Sequence, residues 1–157
     1  MENFSLNDAA TLVGLVFGSI GLAIGVMNYL RDNPKITVEL QWDMTPFNLP
    51  EFDPNELVGV IRITNTGRRP AYVSHVALKL PKGYEGTHLV ISEGLQGQKL
   101  SEGDPPLTFP SRQNELHQYA KDWRKLRAQV SDSTGKVWYS PRTWISKKPS
   151  WANENGS

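Results

Sequence analysis

The feature that most constrains this chain is a run of 22 residues without a charged side chain, from Ala9 to Leu30. At about 1.5 Å per residue, a helix of that length reaches ~33 Å, which is enough to cross a hydrocarbon core of ~30 Å. A signal peptide is the rival interpretation, and it needs a basic n-region, a shorter apolar run and small residues at a cleavage site. Here the preceding residues are acidic and the run ends in Asn-Tyr-Leu-Arg. The sequence therefore predicts an uncleaved transmembrane helix.

The charges on either side of the apolar run predict its orientation. Glu2 and Asp8 precede it, whereas Arg31 and Lys35 follow it. Lys and Arg are enriched on the cytoplasmic side of transmembrane helices, so we expect the N-terminus outside and the C-terminal domain in the cytoplasm. Arg31 and Lys35 are then expected to lie beside lipid headgroups.

Small or polar residues recur along one stripe of the predicted helix, at alternating spacings of three and four: Thr11, Gly14, Gly18, Gly21, Gly25 and Asn28. Helix association in lipid depends on close backbone approach over glycines and on interhelical hydrogen bonds, because lipid offers little hydrophobic gain. The stripe predicts a homo-oligomer or docking on another transmembrane helix, with a left-handed crossing. The alternative is that glycine is simply common in such helices.

Composition excludes several classes of function. From Arg31 onward the chain has 17 basic and 14 acidic residues, a net charge of about +3. This charge is too mild for a nucleic-acid binder, so no nucleic-acid partner is expected. There is no cysteine, which removes disulfides, thiolate catalysis and zinc-cysteine sites.

After Pro34 the apolar pattern changes to period two, which is typical of half-buried strands. Strands are predicted around residues 36–42, 57–64, 71–80, 87–92, 107–109, 126–130 and 136–139. In the third of these, Tyr72, Val76, Leu78 and Leu80 are expected on one side. Helical spacing of Leu116, Tyr119, Ala120 and Trp123 predicts one short amphipathic helix. The predicted fold is mainly β: a transmembrane helix, then an immunoglobulin-like antiparallel sandwich.

The predicted domain organisation has five parts: an N-terminal flank (1–8), a transmembrane helix (9–30), a juxtamembrane linker (31–34), a sandwich (35–145) and a flexible tail (146–157). The tail contains Trp144 and Trp151 beside Lys147 and Lys148. Disorder is the ordinary expectation for such a terminus, and a membrane-interface or partner-docking segment is the alternative.

Three stretches carry a resemblance to known proteins: YLRDNPKI at the end of the helix, VIRITNTGRRPAYVSHVAL, and SDSTGKVWYS. They resemble a widespread class of small bacterial single-pass membrane proteins with an N-terminal helix and an immunoglobulin-like head, mostly without an assigned function. The resemblance covers about residues 9–140, and its specific parts, NTGRRP and the DSTGK turn, are structural motifs. It implies a location in the bacterial inner (cytoplasmic) membrane.

No pattern in the sequence indicates catalysis. His75, His88 and His117 lack metal-ligand spacing, and there is no nucleophile elbow, phosphate-binding loop or dinucleotide fingerprint. The acidic residues fall in predicted loops or on an exposed helix face, where solvated charge is the ordinary explanation. We therefore expect no enzyme activity, no cofactor and no metal.

Two loops are candidate contact surfaces. Arg68 and Arg69 form either a clamp for anionic headgroups or a solvated turn. The loop 43–56 carries four apolar side chains that either tuck against a sheet edge or form a partner surface: Met44, Phe47, Leu49 and Phe52. If the strands alternate up and down from the membrane, the arginine loop and the turn at 133–136 face the lipid, and the loop 43–56 lies at the far pole.

These features favour a membrane-anchored, self-associating interaction or scaffold module that is not an enzyme. Its head would bind an unknown cytoplasmic protein or ligand. The alternative is a small membrane effector, such as a toxin or an anti-phage abortive-infection component. In that alternative, the glycine-seamed helices assemble to disrupt the membrane and the head acts as a sensor.

Overall fold

A computed structural model of the chain describes residues 6–92, 95, 97–142 and 147–153, without the side chains of residues 6–9 and 31. The chain divides into two compact units, Met1–Asn33 and Pro34–Ser157. The first unit contains one helix, α1, over Leu6–Arg31. The Asp32 N–H still donates to the carbonyl of Asn28 at 2.9 Å, and Pro34 then prevents a further helical turn.

The second unit, called the head below, consists of two antiparallel sheets. Its strands are β1 (Ile36–Met44), β2 (Val58–Asn65), β3 (Ala71–Lys79), β4 (His88–Ser92), β5 (Gln98–Leu100), β6 (Leu107–Arg112), β7 (Arg127–Asp132) and β8 (Val137–Tyr139). One sheet has the order β1-β2-β6 and the other the order β4-β3-β7-β8, with β5 also paired to β3. In the strand lettering of immunoglobulin domains, the first sheet corresponds to A-B-E and the second to C′-C-F-G. The predicted immunoglobulin-like sandwich is therefore confirmed.

Alternation of apolar and polar residues explains most of the strands. In β1, Ile36 and Val38 are buried while Thr37 and Glu39 are exposed. The third strand differs from its expected pattern, because Tyr72 is exposed and Val73 takes the buried position. The pairing of β3 with β7 shifts register between Val73 and His75, and a bulge of this kind changes which side chain faces the core.

Both sheets contribute to one hydrophobic core, which a helical segment closes. This segment, Asn114–Lys125, consists of two short 3₁₀ helices joined at Asp122, where the backbone leaves helical geometry. It buries Leu116, Tyr119 and Trp123, so the predicted amphipathic helix is present in a tighter form. A 3₁₀ helix brings residues i and i+3 onto one face, which suits the pair Leu116 and Tyr119.

The C-terminal residues correct the expectation of a flexible tail from residue 146. Ser150–Ala152 form a helical turn in which Trp151 is only 4% exposed and belongs to the core. The Trp151 ring packs edge-on against Trp42, with the ring centroids 5.3 Å apart. Asp43 accepts hydrogen bonds from the backbone N–H and the hydroxyl of Ser150. Trp144 and residues 154–157 lie outside the described residues.

The close packing around Trp42 depends on a glycine in the neighbouring strand. A Cβ added to Gly59 would lie 2.7 Å from the Trp42 ring, a distance that real side chains do not tolerate. Trp42 therefore packs against both Gly59 and Trp151. These contacts attach the C-terminal turn to the end of β1.

The two ends of the head are distinguished by where the chain enters it. At the proximal end, where β1 begins, the Thr66 N–H donates to the carbonyl of Lys35 at 2.9 Å. The turn after β7 lies at the same end, since the Ser133 N–H donates to the carbonyl of Tyr72 at 2.9 Å, near the start of β3. The connection between β1 and β2 lies at the opposite, distal end, as do the end of β3 and the beginning of β7.

Candidate functional site

The predicted seam lies on a single open face of α1. At about 100° per residue, its six positions fall within a sector of roughly 100° around the helix. A Cβ added to Gly14, Gly18, Gly21 or Gly25 would meet no atom within 4 Å, so the backbone is uncovered at all four glycines. Asn28 is exposed at the C-terminal end of this stripe. The stripe is thus available for close contact with another helix.

Of the predicted headgroup contacts, the structure brings three to the proximal end of the head. Lys35, Arg68 and Arg69 are exposed there. Across the described part of the chain, none of the three forms an ion pair within 4 Å. The side chain of Arg31 lies outside the described residues.

The loop that carries Arg68 and Arg69 is held by a buried asparagine. The Asn65 side-chain oxygen accepts hydrogen bonds from the N–H groups of Lys35 and Gly67, at 3.3 and 2.9 Å. Its amide nitrogen donates to the carbonyls of Arg69 and Leu100, at 2.8 and 2.9 Å. The NTGRRP motif is therefore structural, and it fixes the backbone from which the two arginine side chains project.

The four apolar side chains of the loop 43–56 do not form one cluster. Phe47 is 91% exposed, and Met44 and Leu49 are about 40% exposed, at 41% and 39%. Phe52 is partly covered and lies beside Arg112, whose guanidinium carbon is 5.8 Å from the ring centroid. The position of Phe52 thus agrees with the alternative in which the loop packs against the head. The exposure of Phe47 agrees with the alternative in which the loop forms a partner surface.

A basic groove, which the sequence did not reveal, lies at the distal end of the head. Its volume is about 650 Å³, and its floor is formed by the buried residues Leu80 and Pro81. No acidic residue lines it in the part of the chain that the structure describes. Its walls are the side chains of six basic residues: Lys79, Lys82, Arg124, Lys125, Arg127 and Arg142.

Tyr139 and Ser140 fix two of these basic side chains. The Arg127 Nε–H donates to the carbonyl of Ser140 at 2.8 Å. The Arg127 guanidinium carbon and the Lys79 Nζ lie 4.9 and 5.0 Å from the centroid of the Tyr139 ring. Such contacts with an aromatic face favour a defined position for a cation. Both charges are thus held beside the groove before any ligand binds.

A third basic side chain, that of Lys125, is neutralised by an acid outside the groove. Its Nζ lies 2.7 Å from Asp122 Oδ1, and the Tyr84 hydroxyl donates to Asp122 Oδ2 at 3.3 Å. The hydrogen bond from Lys125 lowers the pKa of the Asp122 carboxyl, which therefore stays ionised at neutral pH. Burial, followed by the charge of Asp122, raises the pKa of Tyr84. Five cations of the groove remain without an acidic partner among the described residues.

Metal-binding chemistry finds no support in the described ranges. They contain no group of three or more His, Cys, Asp or Glu side chains arranged to hold a metal ion. His75 and His88 each contact a neighbouring hydroxyl, of Ser74 and Thr87, and His88 also contacts Gln129. These two histidines therefore have ordinary sheet-surface partners.

The fold and these surfaces define a class: an apolar N-terminal helix followed by an immunoglobulin-like antiparallel sandwich. A comparison of the chain with the models of known protein families finds no match, and a comparison with curated proteins finds none either. Function is therefore inferred from the residues of this chain.

Proposed function

We propose that this protein is a single-pass, membrane-anchored interaction module of the bacterial cytoplasmic membrane. It is not an enzyme, its helices associate with one another, and its head faces the cytoplasm and binds a partner there. The surface of α1 carries this proposal. Ala10–Leu30 is long enough and apolar enough to span a membrane, and none of this span is buried in the protein.

Lipid is the environment that this helix surface favours. Twelve large apolar side chains of α1 are exposed, among them Phe17 at 70% and Leu22 at 71%. At the centre of a membrane-spanning helix, a Leu, Ile, Phe or Val side chain favours insertion by about 0.3–0.6 kcal/mol, so twelve apolar side chains together contribute on the order of 5 kcal/mol. The head lacks a comparable continuous apolar surface in its described residues, where Phe47 is the most exposed large apolar side chain.

Orientation can be tested with a reporter at the C-terminus. Alkaline phosphatase fused after Ser157 should be inactive, because the enzyme needs the oxidising periplasm for its disulfides and the positive flank keeps the head inside. The variant Arg31→Glu/Lys35→Glu removes that flank and should raise phosphatase activity. High activity from the unmodified fusion would reverse the proposed orientation.

Self-association can be tested at the glycine stripe. We expect chemical cross-linking in membranes to give dimers or larger species, and the variant Gly18→Leu/Gly21→Leu to reduce them strongly. The monomer should tolerate both leucines, since a Cβ at either position meets nothing within 4 Å. The matched control is Val13→Leu/Val16→Leu, at positions outside the glycine stripe, which should cross-link like the unmodified protein. Equal cross-linking of all three proteins would show that the glycines are incidental.

A membrane effector is the second candidate, because the same open glycine stripe would also support a membrane-disrupting bundle. Growth and dye uptake after induction distinguish the two functions. Permeabilisation that disappears in Gly18→Leu/Gly21→Leu but persists in Val13→Leu/Val16→Leu would favour the effector. Normal growth and intact membranes with all three proteins would favour the interaction module. In that case Phe47, the most exposed large apolar side chain of the head, is the first residue to substitute in a search for the partner contact.

A further inference from the structure

We propose that the distal basic groove is a binding site for a polyphosphorylated small molecule of about the size of a nucleoside polyphosphate. Six basic side chains meet over an apolar floor, and five of them have no acidic partner among the described residues. Charges of one sign gathered in a cleft repel one another and create a strong local potential, which an anion relieves. The inference concerns the head alone and does not depend on membrane insertion.

Phosphate fits this groove better than carboxylate. A terminal phosphate carries about −1.5 to −2 charges at neutral pH and a bridging phosphate about −1, so one triphosphate chain brings about four negative charges to the five cations, where about four separate carboxylates would be needed. Three of the basic residues are Arg124, Arg127 and Arg142, whose planar guanidinium groups pair with phosphate oxygens as well as with carboxylate oxygens, so the density of charge is what favours phosphate. The groove of about 650 Å³ lies within the range of small-molecule sites, about 300–1,000 Å³.

The position of the basic side chains is largely set in advance. Arg127 is fixed by Ser140 and Tyr139, and Lys79 by the same Tyr139 ring. Arg124 lies over the buried Trp123 ring, with its guanidinium carbon 5.4 Å from the centroid. Ordering these long side chains before binding reduces the entropy lost on binding. The apolar floor of the groove can in turn cover an uncharged part of the ligand, such as a base.

The charge of the rest of the head argues for a small ligand rather than a polyanionic polymer. Residues 34–157 contain 16 basic and 13 acidic residues, and removing the six of the groove leaves 10 basic against 13 acidic, a net charge of −3. An extended nucleic acid needs a continuous basic surface, which this balance does not supply.

Calorimetric titration of the full-length protein, in nanodiscs of zwitterionic lipid, tests the site. We expect saturable binding of inorganic tripolyphosphate and of ATP, with ATP tighter because its base covers the apolar floor, and no binding of adenosine. The variant Lys82→Glu/Arg124→Glu should weaken both by at least about tenfold, because two charge-assisted contacts become repulsive. The matched variant Arg62→Glu/Lys99→Glu changes exposed residues outside the groove by the same net charge and should leave both affinities unchanged.

Hydrogen exchange on the unmodified protein gives a measurement that does not depend on the folding of a variant. ATP should slow exchange selectively at residues 79–82 and 124–127. Equal weakening by the two variants, or no binding of tripolyphosphate, would overturn the proposal. So would binding confined to anionic lipid vesicles, or affinity for single-stranded DNA that rises with its length, since these assign the groove to a membrane or a polymer.

Discussion

Arginine at the centre of α1, in the variant Val16→Arg/Ile20→Arg, is expected to remove the protein from membranes. Both side chains lie on the side of the helix opposite the glycines and are about half exposed, at 54% and 50%. An arginine at the centre of a membrane-spanning helix opposes insertion by about 2.5–3.5 kcal/mol, so two oppose it by about 5–7 kcal/mol. Alkaline extraction of membranes, followed by immunoblotting, measures the change.

The control for this variant is Val16→Leu/Ile20→Leu, which keeps the surface apolar and should stay in the membrane pellet. Mass spectrometry of the mature N-terminus provides the second readout. A chain that starts after residue 30 would identify the apolar segment as a cleaved signal sequence. An unmodified protein that stays dissolved without detergent or lipid would contradict the anchor as well.

The second large effect is expected at the C-terminal turn, where Trp151→Ala should destabilise the head by about 3–5 kcal/mol. Trp151 is buried against Trp42 and belongs to the hydrophobic core, so its removal leaves a cavity between β1 and the segment Asn114–Lys125. Thermal unfolding of the detergent-solubilised protein, followed by near-ultraviolet circular dichroism, measures the loss.

Trp151→Phe is the matched control for that loss. The Trp151 indole nitrogen is buried and has no hydrogen-bond partner among the described residues, so phenylalanine keeps most of the packing and breaks no hydrogen bond. We expect a much smaller destabilisation than for alanine. An unchanged melting temperature for Trp151→Ala would mean that the turn does not support the core in solution.

Much of the sandwich could be predicted from sequence because each strand buries every second side chain. In β7, the burial of Ala128 and Val130 follows the pattern of the sequence directly. The prediction from alternation is wrong at Tyr72, which is exposed while Val73 is buried. The bulge in β3 that causes this difference arises from the pairing with β7, which the sequence of β3 alone does not reveal. The prediction from alternation also missed β5, whose three residues Gln98–Leu100 are too short to show a period.

The basic groove could not be predicted because its residues come from distant parts of the chain. Lys79 and Lys82 precede Arg124 and Arg127 by more than 40 positions, and only the antiparallel pairing of β3 with β7 joins them. The C-terminal turn was missed for a similar reason. Its contacts Trp42–Trp151 and Asp43–Ser150 join residues that are more than 100 positions apart in the sequence, and no local pattern at one residue predicts its contact with the other.

The contact between the C-terminal turn and β1 has a consequence for proteolysis of the head. β1 is an edge strand, and its distal end is covered by the turn Ser150–Ala152. A protease that removed residues 149–157 would uncover Trp42 and loosen β1. Loosened edge strands are templates for pairing with other chains. We therefore expect the contacts of the C-terminal turn with β1 to protect this edge strand from pairing with other chains.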